Sequence, residues 1–265
     1  MRGRVLIVAG SDSGGGAGIQ ADIKAVTAMN GFAATAITAL TAQNTKGVHG
    51  VVPVDPAFIV QQIEVVLSDI GADALKTGML HSTEVINAVA GAFARLAPSI
   101  PLVVDPVMVA SKGAHRLLLS DAEAAMRDVL LPMAAVVTPN LPEAEVLVGF
   151  PVRTESDMRR AAEHLARLGP KAVLMKGGHL AGDRVIDLLF HDGHVDRFED
   201  ARIESRNTHG TGCTLASAIA AGLAQKMSLR DAVVRARAYV RKAIESAPGY
   251  GGGLGPLNHA VTVKP

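Results

Sequence analysis

Arg4-Val5-Leu6-Ile7-Val8-Ala9-Gly10-Ser11-Asp12-Ser13-Gly14-Gly15-Gly16-Ala17-Gly18 is the stretch on which the fold class turns. Val5 to Ala9 is apolar without interruption, so neither face of a strand there can be given to water. That is the signature of a strand covered on both sides, as in a parallel sheet. The glycines then turn the chain, and Gly18–Met29 carries apolar residues at helical spacing. Two arginines before an apolar run also fit a short signal peptide. The glycine-rich turn and the helix behind it favour the strand.

The same alternation repeats along the chain. Ala33–Leu40, Ala74–Thr77, Leu102–Asp105, Ala135–Thr138 and Ala172–Lys176 read as further strands. Pro56–Asp69, Ser82–Leu96, Ser120–Leu131 and Glu155–Leu168 read as helices. Asp55-Pro56 supplies an N-cap and a first-turn proline, and Ser120 with Glu123 a capping box. Past Lys176 the pattern changes. Val185–Phe190 and Val195–Phe198 flank His191-Asp192-Gly193-His194, and Asp-Gly between apolar runs signals a hairpin. The sheet should therefore end in antiparallel strands, followed by helices over Thr211–Gln225 and Leu229–Ala247 and a Gly/Pro-rich loop from Pro248 to Pro256. The expectation is an α/β protein, a three-layer α/β/α sandwich on a mostly parallel sheet, with residues 1–265 forming a single domain. Ligands belong at the carboxyl ends of its strands.

Composition narrows the function. In 265 residues the net charge is +1, with no basic block to draw nucleic acid or acidic lipid. Aromatics make up 3% and Trp is absent, too few for base-stacking platforms. The apolar runs are too short to span a membrane. A single cysteine, Cys213, excludes an internal disulfide framework and suits a reducing, cytoplasmic setting. No G-x-x-x-x-G-K-[ST] occurs. The glycines after the first strand do not complete G-x-G-x-x-G, since Ala21 stands where the last would fall, which weakens a dinucleotide-dependent oxidoreductase. His191 and His194 read as a solvated hairpin tip ahead of a metal pair, for want of a third ligand nearby.

Asn207-Thr208-His209-Gly210-Thr211-Gly212-Cys213-Thr214 carries the strongest chemical signal. Glycines at the mouth of a helix let successive N–H groups face one cavity. The helix terminus adds positive potential, an arrangement suited to phosphate. The competing reading makes Thr211 an N-cap and the glycines a mere turn. Asp105 ends a strand. Asn140 and Glu143 follow another, and are a capping box, a magnesium site, or both. Lys176 could reach a nucleotide phosphate or be a solvated strand end. In the first third, Gln43 can donate and accept at once, as an aminopyrimidine edge requires. Asp22 could accept from an exocyclic amine, and Met79 could pack on a flat ring. Each also has a plain reading, as surface Asp, loop Gln and core Met.

Ala9–Asp22, Thr41–Val48, Lys76–Leu80, Val104–Ala110, Thr138–Glu145, Lys176–His179 and His209–Thr214 together resemble, in order, the hydroxymethylpyrimidine/phosphomethylpyrimidine kinases. The resemblance implies a ribokinase-like fold, a homodimer and two MgATP-dependent steps of thiamine biosynthesis. The first acts on the alcohol of 4-amino-5-hydroxymethyl-2-methylpyrimidine, the second on its monophosphate. It implies Gln43 as the pyrimidine contact, with Gly10, Asp22, Met79 and Val107 around it. Gly210, Thr211, Gly212 and Cys213 become the anion hole, Asp105, Asn140 and Glu143 the magnesium and phosphate side, and Lys176 a phosphate ligand. Ribokinase relatives usually carry Asp, a base, at the position of Cys213. A thiol at a helix N-terminus is expected to have a lowered pKa and still to accept a proton; the alternative is a small buried filler. Ala110-Ser111-Lys112-Gly113 departs from some relatives in the order of Ser and Lys. A pyridoxal kinase of the same fold is the nearest alternative function, and a nucleotide-binding module without catalysis a more distant one.

Overall fold

A computed structural model describes residues 1–108, 117–119 and 121–263. Lys112, with its neighbours Ala110 to Gly113, and the Ser120 end of the expected capping box lie outside them.

The central sheet runs β10-β9-β8-β7-β6-β5-β1-β2. Its strands are β1 (Arg4–Ala9), β2 (Phe32–Ile37), β5 (Ala74–Thr77), β6 (Leu102–Val104), β7 (Val136–Val137), β8 (Ala172–Met175), β9 (Arg184–His191) and β10 (His194–Ala201). From β2 to β8 every pairing is parallel; β9 and β10 are antiparallel, closing the sheet with the expected hairpin. The parallel strands alternate strictly between two cores. Leu6, Val8, Val104, Val137 and Val173 face one side, packed by α2 (Pro56–Asp69), α3 (Thr83–Leu96), α5 (Leu141–Val148) and α6 (Glu155–Ala166). Val5, Ile7, Val103, Val136 and Leu174 face the other, packed by α1 (Gly18–Ala28), α7 (Thr211–Ala224) and α8 (Leu229–Glu245). Each such side chain contributes about 1.5–3 kcal/mol on burial. This is the three-layer α/β/α, ribokinase-like arrangement.

Local chemistry sets the helix starts. Asp55 accepts from the N–H groups of Ala57 and Phe58 at the head of α2. Ser82 caps α3, and Thr154 forms a capping box with Asp157 on α6. The helix expected over Ser120–Leu131 is instead a short α4 (Ala122–Ala125), a π-turn over Met126–Leu130 and a 3-10 turn over Leu131–Met133. Pro132, which lacks an N–H, falls in its last turn.

Ala33–Leu40 is not one strand. The chain leaves the main sheet at Thr38, whose buried hydroxyl donates to the Met79 carbonyl at 2.6 Å. It then forms β3 (Ala39–Asn44), which pairs with β4 (Gly47–Pro53) in a separate antiparallel ribbon. The ribbon is half exposed, with Leu40 and Val52 at 49% and 63%, so its sequence lacks the doubly buried pattern that marks the other strands. Its register slips between Ala42 and Gln43. A bulge of this kind redirects the side chain that follows it. Among the described residues no helix is long and apolar enough to cross a membrane.

Candidate active site

One cavity of about 770 Å³ opens where the strands end. Its floor is built from residues that directly follow strands. Asp105, after β6, accepts from Thr138 Oγ1 at 3.2 Å and from Lys176 Nζ at 3.0 Å. Lys176, after β8, also approaches Glu143 Oε2 at 3.9 Å. Asn140 and Glu143 form a complete capping box on α5: Glu143 accepts from the Asn140 N–H at 2.8 Å, and Asn140 Oδ1 from the Glu143 N–H at 2.9 Å. Burial, with the charge of Asp105, pushes Glu143 up to about 7 against the pull of Lys176 and the Asn140 bonds. Burial works against the charge of Lys176, but Asp105 and Glu143 outweigh it and hold this lysine above its ordinary value.

The 210–213 turn meets this cluster from above. Gly210, not Thr211, is the N-cap of α7, with φ of 80°. A Cβ there would lie 1.8 Å from the Gly16 carbonyl oxygen, so the position admits only glycine. Thr211 Oγ1 instead donates to the Thr208 carbonyl at 2.7 Å. A Cβ on Gly212 would stand 3.0 Å from Lys176 Nζ and 3.6 Å from Asp105 Oδ2, so the head of α7 abuts the charged floor. First-turn N–H groups of a helix have no acceptor within it. The Thr211 N–H turns back to the Thr208 carbonyl at 3.3 Å, but Gly212 and Cys213 line the cavity beside a lysine, an arrangement suited to anionic oxygen.

Cys213 lines the cavity and keeps partial exposure. Its thiol is pushed up to about 12, by burial first and by Asp22 and Asp105 after it, despite Lys76 and the Gly18 backbone. The lowered pKa expected from the helix terminus is therefore corrected: at neutral pH Cys213 is a thiol, because desolvation outweighs the dipole.

Gln43, Met79, Val107 and Gly10 all line the same cavity. A Cβ on Gly10 would meet Met79 Sδ at 3.2 Å, so the glycine gives the thioether its room. Met79 packs with Ala39, Leu117 and Val107 as an apolar wall. Asp22 does not line the cavity. It lies fully buried behind it, accepting from Lys76 Nζ at 2.9 Å on each oxygen and from Ser217 Oγ at 2.7 Å. Burial alone pushes Asp22 up and would push Lys76 down, but the two-oxygen contact favours the ion pair, and Lys76 is held above its ordinary value. Wholly buried and outside the cavity lining, this carboxylate is out of reach of a ligand amine, and the reading of Asp22 as a ligand contact is corrected on that ground.

Three residues of this site escaped the sequence: Lys76, Asp12 and His209. The Asp12 carboxylate accepts from the N–H groups of Gly14, Gly16 and Ala17 at 2.8, 3.1 and 2.8 Å, and from His209 Nε2 at 2.8 Å. Burial pushes Asp12 up, but these donors outweigh it and hold it below its ordinary value. The first glycine loop thus closes around its own side chain, and those N–H groups are not offered to a pyrophosphate. An Asp ahead of a glycine run is a signal for such a turn. His191 and His194 lie at the β9–β10 hairpin, where His191 Nε2 bonds Asp196 at 2.9 Å.

The profile of the family described as phosphomethylpyrimidine kinase matches residues 12–258. The chain belongs to the phosphomethylpyrimidine kinase family. It is 48% identical to a hydroxymethylpyrimidine/phosphomethylpyrimidine kinase of Rhizobium meliloti, over 96% of each chain. It is 51% identical to the thiamine biosynthesis bifunctional protein ThiED of Geobacter sulfurreducens, covering 99% of this chain but 53% of that protein. The chain thus spans about half the length of that relative. Among solved structures, the pyridoxal kinase of Staphylococcus aureus in complex with AMP-PCP and pyridoxal superposes with a TM-score of 0.89 at 34% identity, over 100% of this chain and 96% of that one. The ATP analogue in that complex bears out ATP as the co-substrate of this kinase fold.

Proposed function

We propose that this kinase moves the γ-phosphoryl group of ATP to the alcohol of 4-amino-5-hydroxymethyl-2-methylpyrimidine and then to the resulting monophosphate, in thiamine biosynthesis. The observation that carries the proposal is the contact of the Gly210–Cys213 turn with the Lys176–Asp105 pair in the same cavity that Gln43 lines. Phosphoryl transfer is governed by positioning and charge neutralisation more than by covalent help. In this reading the Gly210–Cys213 turn holds the transferring group, and Lys176 and Asn140 lie along the ATP phosphates. Ile203, Val240 and Ile244 give an apolar slot for the purine. Met79, Val107 and Gly10 enclose the pyrimidine ring.

Asp105 and Glu143 fit magnesium. Two carboxylates flank one lysine, and burial beside Asp105 pushes one of them, Glu143, up to about 7. Magnesium is commonly held by one or two carboxylates with water and phosphate oxygens. When bound it neutralises charge on the ATP phosphates. A loose transition state asks little of a base, so a neutral Cys213 is compatible with the first step. Its lack of charge favours the second, in which the acceptor is an anion. A cytoplasmic homodimer built from one kinase domain over residues 1–265 belongs to the same proposal.

A pyridoxal kinase is the second reading, favoured by the superposition on the Staphylococcus aureus enzyme. An amide such as Gln43 pairs in register with a ring nitrogen beside an exocyclic amine, an edge that pyridoxal does not have. ATP consumption measured with the aminopyrimidine alcohol, with its monophosphate, with pyridoxal and with no acceptor tests both. Turnover with the first two is expected; turnover with pyridoxal alone overturns the proposal.

A further inference from the structure

The Gln43 amide lies between two groups whose hydrogen-bonding roles are already fixed. Thr41 Oγ1 gives its only hydrogen to the Ser11 carbonyl at 2.8 Å, so toward the amide it can only accept. His209 Nε2 gives its one hydrogen to the Asp12 carboxylate at 2.8 Å, so it cannot accept from the amide, and toward the amide it has only a share of that hydrogen to offer. Asp12 is almost wholly buried at 2% exposure and is committed to the glycine loop as well, so the imidazole cannot turn away from it freely. With Gln43 Oε1 at 3.3 Å from Thr41 Oγ1 and Nε2 at 3.3 Å from His209 Nε2, two acceptors face each other on one side and two donors on the other. A half-turn of the amide about its last torsion turns the Thr41 contact into a hydrogen bond and lets the amide oxygen share the hydrogen that His209 Nε2 gives to Asp12, with no other atom moving. The oxygen and nitrogen of an amide are told apart by their partners alone.

We propose that Thr41 and the Asp12–His209 pair hold the Gln43 amide in one orientation, NH2 toward Thr41 and carbonyl toward His209, and so fix the order of donor and acceptor presented to the ligand. Asp12, His209 and Thr41 are then positioning residues that act through Gln43. The chemical consequence is directional. The ligand edge that fits has an acceptor nitrogen on the Thr41 side and an N–H donor on the His209 side. An edge with those roles exchanged, such as a ring N–H beside a carbonyl, is rejected. The part concerning the ligand rests on the proposed reading of Gln43 as the pyrimidine contact; the orientation of the amide does not.

Two measurements test this. In the free protein, nuclear Overhauser contacts from the Gln43 side-chain NH2 are expected to the Thr41 methyl group and not to His209 Hε1; the reverse pattern overturns the lock. The second is a specificity ratio, kcat/KM for the aminopyrimidine alcohol over kcat/KM for its 4-oxo analogue, in which a general loss of activity cancels. Thr41→Val and His209→Asn are each expected to lower the ratio on the order of tenfold, the worth of one buried polar pairing. Thr41→Ser is expected to restore it. An unchanged ratio in both folded variants overturns the proposal. If the aminopyrimidine is no substrate at all, the functional reading fails, and the Overhauser contacts alone decide the orientation.

Discussion

At Cys213 the relevant quantity is charge. The thiol is neutral at physiological pH, and it stands near Lys76, Asp22 and Asp105 at the head of α7. In the second reaction the nucleophile is a phosphate oxygen, already anionic. A carboxylate at this position would sit against it. Two unit charges about 4 Å apart repel by roughly 4 kcal/mol at an effective dielectric near 20. Cys213→Asp is therefore expected to keep more of the alcohol phosphorylation than of the monophosphate phosphorylation, and Cys213→Ser to be milder for the second step. Assaying the half-reactions separately checks this, and equal loss of both would sink the charge argument. Glu143 carries a second prediction. Its folded value of about 7 lies above the ordinary 4.5. Between those values the folded protein binds the extra proton, so this residue's contribution to stability falls as pH rises through that window and is level above it. Glu143→Gln, which can still accept from the Asn140 N–H, is expected to remove that slope from thermal melts taken across pH. The same variant is expected to raise the magnesium concentration needed for half-maximal activity. A lost cap alone would instead cost about 1 kcal/mol and leave the magnesium titration unchanged.

Helix α7 shows what an element contributes beyond its residues. Ala216, Ala218, Ala220 and Ala221 are buried where α7 packs between α1, α8 and the strands β1, β5 and β6, and that fixes where its amino end points. Gly210→Ala tests how tightly the end is held. The new methyl group would overlap the Gly16 carbonyl oxygen, and the residue would keep a φ that side chains disfavour. Loss of kcat by two orders of magnitude or more is expected, with lowered stability read from a melt; an active, stable variant would mean that the turn is not rigid. The elements themselves were largely legible. Arg4–Ala9, Pro56–Asp69 and Ala74–Thr77 have the bounds that their apolar patterns predict. The β3–β4 ribbon was not, because half its side chains face water and its apolar pattern is broken at Gly47 and Gly50. Helix α5 was visible only as its capping box, since its eight residues are too few to show a period.

Across the whole molecule, the buried Lys76–Asp22 pair joins β5 to α1, and Ser217 ties both to α7. Neither charge reaches water. Removing one partner leaves the other unpaired in the interior, at a cost of about 3–5 kcal/mol, whereas replacing both by apolar residues is often far milder. Denaturant titrations are expected to rank Lys76→Met well below the double variant Lys76→Met/Asp22→Leu; equal losses would mean the lysine is stabilised by something other than Asp22. This pair, and the Asp12–His209 pair, lay beyond sequence reading for one reason. Their partners stand 54 and 197 positions apart, and no local pattern reports on contacts at that range. The residues that did show, Gly210, Asp105 and Lys176, sit next to strand ends or helix starts, where local pattern and site coincide.

The small ribbon that leaves the sheet at Thr38 has a consequence for how such enzymes diversify. Gln43 rides on an appendage with its own two-stranded hydrogen bonding, while Lys176, Asp105 and the 210–213 turn belong to the eight-stranded body. Apart from the contacts that Thr41 and Gln43 make with Ser11, Ser13 and His209, mutations in the one leave the hydrogen bonding of the other in place, so a lineage can change its acceptor while most of its machinery for handling ATP is inherited. A pyridoxal kinase that shares this architecture at 34% identity is the outcome such a division of labour would leave behind.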